Sequence, residues 1–120
     1  MVERIPDDRL TNILKAASDP TRRALLTLLA QQGPMQVTAL AGHFDTSLNS
    51  ISKHLKVLEK AGLVQRRTEW RAHIIEVQME PLRLIDRWFG ELRSIWAMRL
   101  EALDGILPGE TADDRNSHES

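Results

Sequence analysis

The sequence predicts a mainly α fold with a β-hairpin wing, in the order α-α-α-α-β-β-α, and three observations carry that reading. Apolar residues recur at helical spacing from Leu10 to Leu58, alternation takes over between Leu63 and Met79, and a last helical stripe runs from Leu82 to Ile106. A length of 120 residues with 42% apolar content fits one domain with one core. That domain is expected over residues 1–107. The acidic stretch 108–120 has too little apolar surface to offset its ordering entropy and is expected to be a disordered tail.

Each element has its own local cause. Leu10, Ile13, Leu14 and Ala17 share one face of a first helix that starts near Asp7-Asp8. Asp19 can cap a second helix, because Pro20 fits a first turn, where its missing N–H costs nothing. Leu25, Leu26, Leu28 and Leu29 carry this helix to the stop Gln32-Gly33-Pro34. Val37, Leu40, Ala41 and Phe44 give a short third helix, followed by the turn Asp45-Thr46-Ser47. Ser47 caps a fourth helix with Leu48, Ile51, Leu55 and Leu58 on one side, closed by Ala61-Gly62. Leu63 to Glu69 and Ala72 to Met79 contain β-branched residues and alternation, and read as a hairpin across Glu69-Trp70-Arg71-Ala72. Glu80-Pro81 opens the final helix, expected to reach about Leu107. Two short helices joined by a tight turn and followed at once by a hairpin make a winged helix-turn-helix.

Composition removes several function classes. Without cysteine there are no disulfides, thiolate metal sites or cysteine nucleophiles. No apolar run is long enough for a membrane span, and MVERIPDDRL does not read as a signal peptide, so a cytoplasmic protein with no membrane partner is expected. There is no G-x-S-x-G, H-E-x-x-H or phosphate-binding glycine loop, so catalysis is not expected. Serines at the start of the fourth helix are better explained as cap and phosphate-binding hydroxyls than as nucleophiles.

The net charge of −1 hides an uneven distribution. From Thr46 to His73 six lysines and arginines face only Glu59 and Glu69, a net of +4, while the last eleven residues carry a net of −3. A basic centre suggests a polyanionic partner. On the fourth helix, Lys53 lies opposite the apolar side, flanked by Asn49, Ser50, Lys56 and Lys60. Short polar groups and lysines on one outward face suit a major groove, and Arg66, Arg67 and Arg71 put a second basic surface on the hairpin. A protein-interaction module without specific DNA binding is the alternative, but it gives little reason for both surfaces.

Asp19-Pro20-Thr21-Arg22-Arg23 before a leucine-rich helix, and the run Ser52-Lys53-His54-Leu55-Lys56-Val57-Leu58-Glu59-Lys60-Ala61-Gly62-Leu63-Val64, closely resemble the ArsR/SmtB family of bacterial winged-helix repressors. The resemblance extends from about Leu10 to Leu103. It implies a usually homodimeric repressor whose fourth helix binds an operator, with Ser50, Ser52, Lys53 and His54 in the recognition segment. With Ser47, Asn49, Lys56 and the three wing arginines, these form the expected DNA-binding set. His54 lies at the edge of the apolar face, as either a packed, hydrogen-bonded histidine or a phosphate contact. Arg22 and Arg23 match the motif, and either approach DNA or pair with a nearby acid.

The chain departs from the family pattern twice. The wing tip, where glycine is usual, carries Trp70, which either stacks on sugar or reaches a groove, or packs onto its own wing, the last being the expectation. The family's metal sensors place cysteines in the third helix or histidine and carboxylate sets in the last one. VTALAGHF has no thiol, and the last helix has no histidine, so no metal and no cofactor are expected. A small-molecule inducer fits the resemblance, but nothing in the sequence specifies it. The last helix carries a wide, ring-rich apolar stripe, more than a small monomer can cover, and predicts a homodimer. Its interface is expected to use Trp88, Phe89, Leu92, Ile95 and Trp96, beside Leu10 and Leu14 of the first helix.

Overall fold

A computed structural model describes residues 7–106. The elements follow in the order α1 (Asp7–Ala16), α2 (Pro20–Gln32), β1 (Met35–Gln36), α3 (Val37–Ala41), α4 (Leu48–Lys60), β2 (Val64–Glu69), β3 (Ala72–Val77) and α5 (Met79–Ile106). The expected acidic tail and Leu107 lie outside the described residues. The backbone falls into two units, one reaching Ile85 and the other beginning at Asp86. None of the described helices is long and apolar enough to cross a membrane.

Local chemistry sets the helix ends. The Asp19 carboxylate accepts the Arg22 backbone N–H at 3.0 Å, and Pro20 takes the first turn of α2. Gly33, at φ +83°, ends that helix in a backbone region that glycine enters without steric cost. On α4 the Ser47 hydroxyl accepts the Ser50 N–H at 3.0 Å. The other end closes with Leu63 N–H donating to Leu58 O and Gly62 N–H to Glu59 O, both at 2.9 Å. This paired closure places Gly62 at φ +79° and turns the chain straight into β2.

Arg22 donates through Nε to Ala16 O at 2.6 Å and through Nη2 to Lys15 O at 3.2 Å, while Arg23 Nη1 donates to Ala17 O at 2.9 Å. The two arginines therefore cap the carbonyl end of α1, where their charge also offsets the helix dipole. The capping role is one the sequence did not offer, since a helix end six residues upstream is not visible as a motif, and the charge of Arg22 also bears on the nearby Asp19 carboxyl.

The core of the first unit gathers Ile13 from α1, Leu25 and Leu29 from α2, Leu40 from α3, Ile51, Leu55 and Leu58 from α4, and Leu63 and Ile75 from the wing. Leu48, expected beside the other apolar residues of α4, is 48% exposed because it stands in the first turn, at the margin of this core. Arg9 of α1 is paired through Nη1 and Nη2 with the two carboxylate oxygens of Glu80 at the start of α5.

The wing is part of a three-stranded antiparallel sheet in the order β1-β3-β2, not an isolated hairpin. Two residues of β1 join it, with Met35 opposite Ile75 and Gln36 opposite Ile74. So short a strand has no legible alternation in sequence. β2 and β3 pair from Val64↔Val77 to Glu69↔Ala72, leaving only Trp70 and Arg71 to make the turn. The turn is tight despite the missing glycine because Trp70 adopts φ +62°. For a residue with a Cβ this costs on the order of 1–2 kcal/mol.

The second unit is the continuation of α5 from Asp86. Within it the Trp88 and Phe89 rings stack with centroids 5.1 Å apart. Phe89 and Leu92 are exposed, as are Ile95 and Trp96 at 62% and 59%.

Candidate nucleic-acid interface

Core burial of Ile51, Leu55 and Leu58 fixes the rotation of α4 and so decides what the opposite side presents. Asn49, Lys53, Lys56 and Lys60 are exposed, and Ser50 and Ser52 are half-buried beside them. Ser47 is exposed, but its hydroxyl is engaged as the cap. His54 is half-buried, with Nδ1 3.8 Å from Asp19 Oδ2. That separation is too long for a hydrogen bond and becomes an ion pair only when the imidazole is protonated. The backbone N–H of Arg22 holds the Asp19 carboxyl below the usual carboxylate range against its own desolvation, with the nearby His54 and Arg22 adding to the lowering. The histidine thus faces the cap of α2, and the outward surface of α4 presents amide, hydroxyl and ammonium groups together with the exposed side chain of Val57.

The three wing arginines are not equivalent. Arg66 lies on the sheet face toward α4, where Nε and Nη2 donate to the two carboxylate oxygens of Glu59 at 3.0 and 3.3 Å. Arg67, on the other face, donates to Glu69 at 3.1 Å and to Glu76 at 2.5 Å. Arg71 is exposed and makes no ion pair among the described residues, as is also true of Lys53, Lys56 and Lys60. It lines a cleft of about 130 Å³ with Gln36, Val37, Thr38, Ala72 and His73, where the wing meets the start of α3. Beside it Trp70 is 92% exposed. The expectation that this indole packs onto its own wing is therefore wrong. In the tight turn, with φ positive, the side chain is left in solvent.

Of the expected interface residues, Leu10 and Leu14 are half-buried on α1 and Trp88 is half-buried in the second unit. Among the described residues no group of three or more histidines, cysteines or carboxylates is placed to hold a metal ion.

A family model described as a helix-turn-helix domain matches residues 17–67, from the turn before α2 into β2. The crystal structure of an ArsR family transcriptional regulator, RHA00566, superposes with a TM-score of 0.72 at 33% identity, over 81% of this chain and 97% of that one. The chain belongs to the ArsR family. Among curated relatives of this ArsR-family chain, an HTH-type transcriptional regulator of Methanocaldococcus jannaschii is 36% identical over 83 residues, 66% of this chain and 93% of its own. The transcriptional repressor SdpR of Bacillus subtilis is 46% identical over 55 residues, 46% of this chain and 60% of the repressor. A homodimeric winged helix-turn-helix DNA-binding domain from Mycobacterium bovis shares the fold at a TM-score of 0.60 and 26% identity, covering 85% of this chain and 95% of that one. The ArsR-family chain is accordingly a DNA-binding transcriptional regulator and not an enzyme.

Proposed function

We propose that the chain is a homodimeric repressor that occludes a promoter by setting two α4 helices into successive major grooves of a near-palindromic operator. The observation that carries this reading is the outward face of α4, where Asn49, Lys53 and Lys56 stand exposed on a helix capped at both ends and locked by its buried side. Asn and Lys side chains read base edges in the major groove, and the capped N-terminal turn with Ser47 and Ser50 favours a phosphate. Ser52 and His54 flank this face, with His54 acting through the Asp19 cap. Arg66 and Arg67 shape the wing, and Arg71 supplies its phosphate contact. The repressor assignment draws on the likeness to SdpR.

The dimer reading rests on α5, whose Phe89, Leu92, Ile95 and Trp96 leave more apolar surface in water than a monomer ordinarily tolerates. Leu10 and Leu14 would extend the same interface. The domain from Mycobacterium bovis is homodimeric, which favours the same arrangement here. A two-fold dimer matches a palindromic site with half-sites about one helical turn apart.

Selection of duplexes from a randomised library with the purified chain tests the DNA reading. Recovery of an inverted repeat with half-sites about 10 bp apart supports it. Recovery without any sequence enrichment favours the interaction-module alternative. Sedimentation at tens of micromolar, a rough working range for weak association, should give a dimer. Trp96→Glu should shift it toward monomer without unfolding the first unit. A wild-type monomer under those conditions defeats the dimer.

A further inference from the structure

Trp70 combines two unfavourable features that nothing within the described residues compensates. Its indole is 92% exposed, and its backbone is held at φ +62°, where an L residue is strained. Glycine at this position would remove both, since the first central residue of such a two-residue turn takes positive φ freely only without a Cβ. The surroundings indicate what the indole meets. Arg71, next in the chain, is the wing arginine left without an ion pair, while Arg67 is engaged by Glu69 and Glu76 on the strands behind it. The tip of the wing is therefore a bare guanidinium beside a bare aromatic face. Strands of six residues span about 20 Å, enough to carry this tip past a major groove about 12 Å wide, to the backbone beyond the one α4 would enter.

We infer that Trp70 is a DNA-contacting residue, packing its indole on the deoxyribose wall of the minor groove that flanks each half-site while Arg71 holds the adjacent phosphate. This rests on the DNA-binding reading above and adds an uncharged, shape-dependent contact to it. Apolar and aromatic side chains act in this way where a protein meets the minor groove, and phosphate contacts fix the register in which they do so.

The test uses the full chain, a duplex recovered by the wild-type protein from a randomised library, and a mixed-sequence duplex. Trp70→Gly should bind the recovered duplex about tenfold more weakly. Its log–log salt slope should stay at the wild-type value, because the indole displaces no counterion. Its thermal midpoint should hold or rise as the strained φ is relieved. Trp70→Phe should lose less affinity. The difference in emission between wild type and Trp70→Phe isolates this indole from Trp88 and Trp96, and should become shielded from acrylamide when duplex is added. Wild-type affinity in Trp70→Gly, an indole as open to acrylamide with duplex as without, or a lowered midpoint that tracks the weaker binding each overturns the inference. Failure of the wild type to enrich any duplex overturns the DNA reading itself, and is seen before any variant is compared.

Discussion

On α4, Lys53, Lys56 and Lys60 all reach solvent without an acidic partner, whereas on the wing Arg66 and Arg67 are each held by glutamates and only Arg71 stands apart. The two surfaces look alike in composition and differ in available charge. Glu59, the one acid of α4, lies three residues from Lys56, a spacing at which it could offset that lysine. Arg66 draws it toward the sheet instead, so a wing cation leaves Lys56 unneutralised. Arg67 meanwhile is shared between Glu69 and Glu76 on the outer sheet face. Counting basic residues therefore overstates the wing and understates what the wing does for α4.

The sharpest way to break this comparison is Lys53→Ala. If Lys53 reads a base edge in each half-site, its removal should weaken operator binding roughly 30-fold or more, at about 1–3 kcal/mol for each of the two base contacts, and mixed-sequence binding far less. Titrations of both duplexes check it. An equal weakening on both would make this lysine an electrostatic anchor and move base readout to Asn49 or Ser50. Arg71→Ala comes next. Removing one guanidinium–phosphate pair from each protomer should weaken specific and mixed-sequence binding alike and reduce the log–log salt slope by about 2. An unchanged slope means that the wing tip does not reach phosphate.

Much of the fold is legible in sequence because the signals are local. Asp19-Pro20, Ser47 and Gly62 mark helix ends through bonds within three to five residues, and all three ends lie where the sequence puts them. The outward direction of Lys53 follows from the same periodicity that buries Ile51, Leu55 and Leu58. What escapes is non-local. β1 is two residues long and exists only because β3 passes beside it. The pairings of Arg66 with Glu59 and of Arg67 with Glu76 depend on which sheet face each residue occupies and on what packs against it. Arg22 and Arg23 go to the end of α1, which no spacing rule reaches. Trp70 defies its preference for burial because it occupies a two-residue turn at the end of the strands, where none of the described elements covers it.

Arg66→Ala sharpens the comparison from the other side. Its bidentate bond to Glu59 is only partly exposed, so its removal should lower unfolding stability by roughly 1 kcal/mol, measured by denaturant titration. The salt slope should fall by less than for Arg71→Ala, because this guanidinium already has an anion. A slope change as large as that of Arg71→Ala would show that Arg66 leaves Glu59 to bind phosphate.

The smallest effect concerns the cap beneath α4, and it is confined to acid. The folded Asp19 carboxyl titrates below its ordinary value of 3.8, mainly because the Arg22 N–H donates to its ionised form, with the neighbouring His54 and Arg22 contributing. A group depressed in this way stabilises the fold above its unfolded pKa and stops doing so as pH falls through the folded one. Asparagine also caps helices but does not titrate, so Asp19→Asn should leave the thermal midpoint near neutrality almost unchanged. Below about pH 4 the wild type should lose this contribution and the variant should not, so the wild-type midpoint should fall relative to that of the variant as the solution is acidified. Some acid sensitivity should persist in the variant, because Glu80 is likewise held low by its bond to Arg9. Midpoints measured from pH 2.5 to 7 decide the matter. Parallel curves for the two proteins would mean that the carboxylate charge of Asp19 adds nothing to the hydrogen bond it accepts, and that the cap under α4 works by geometry alone.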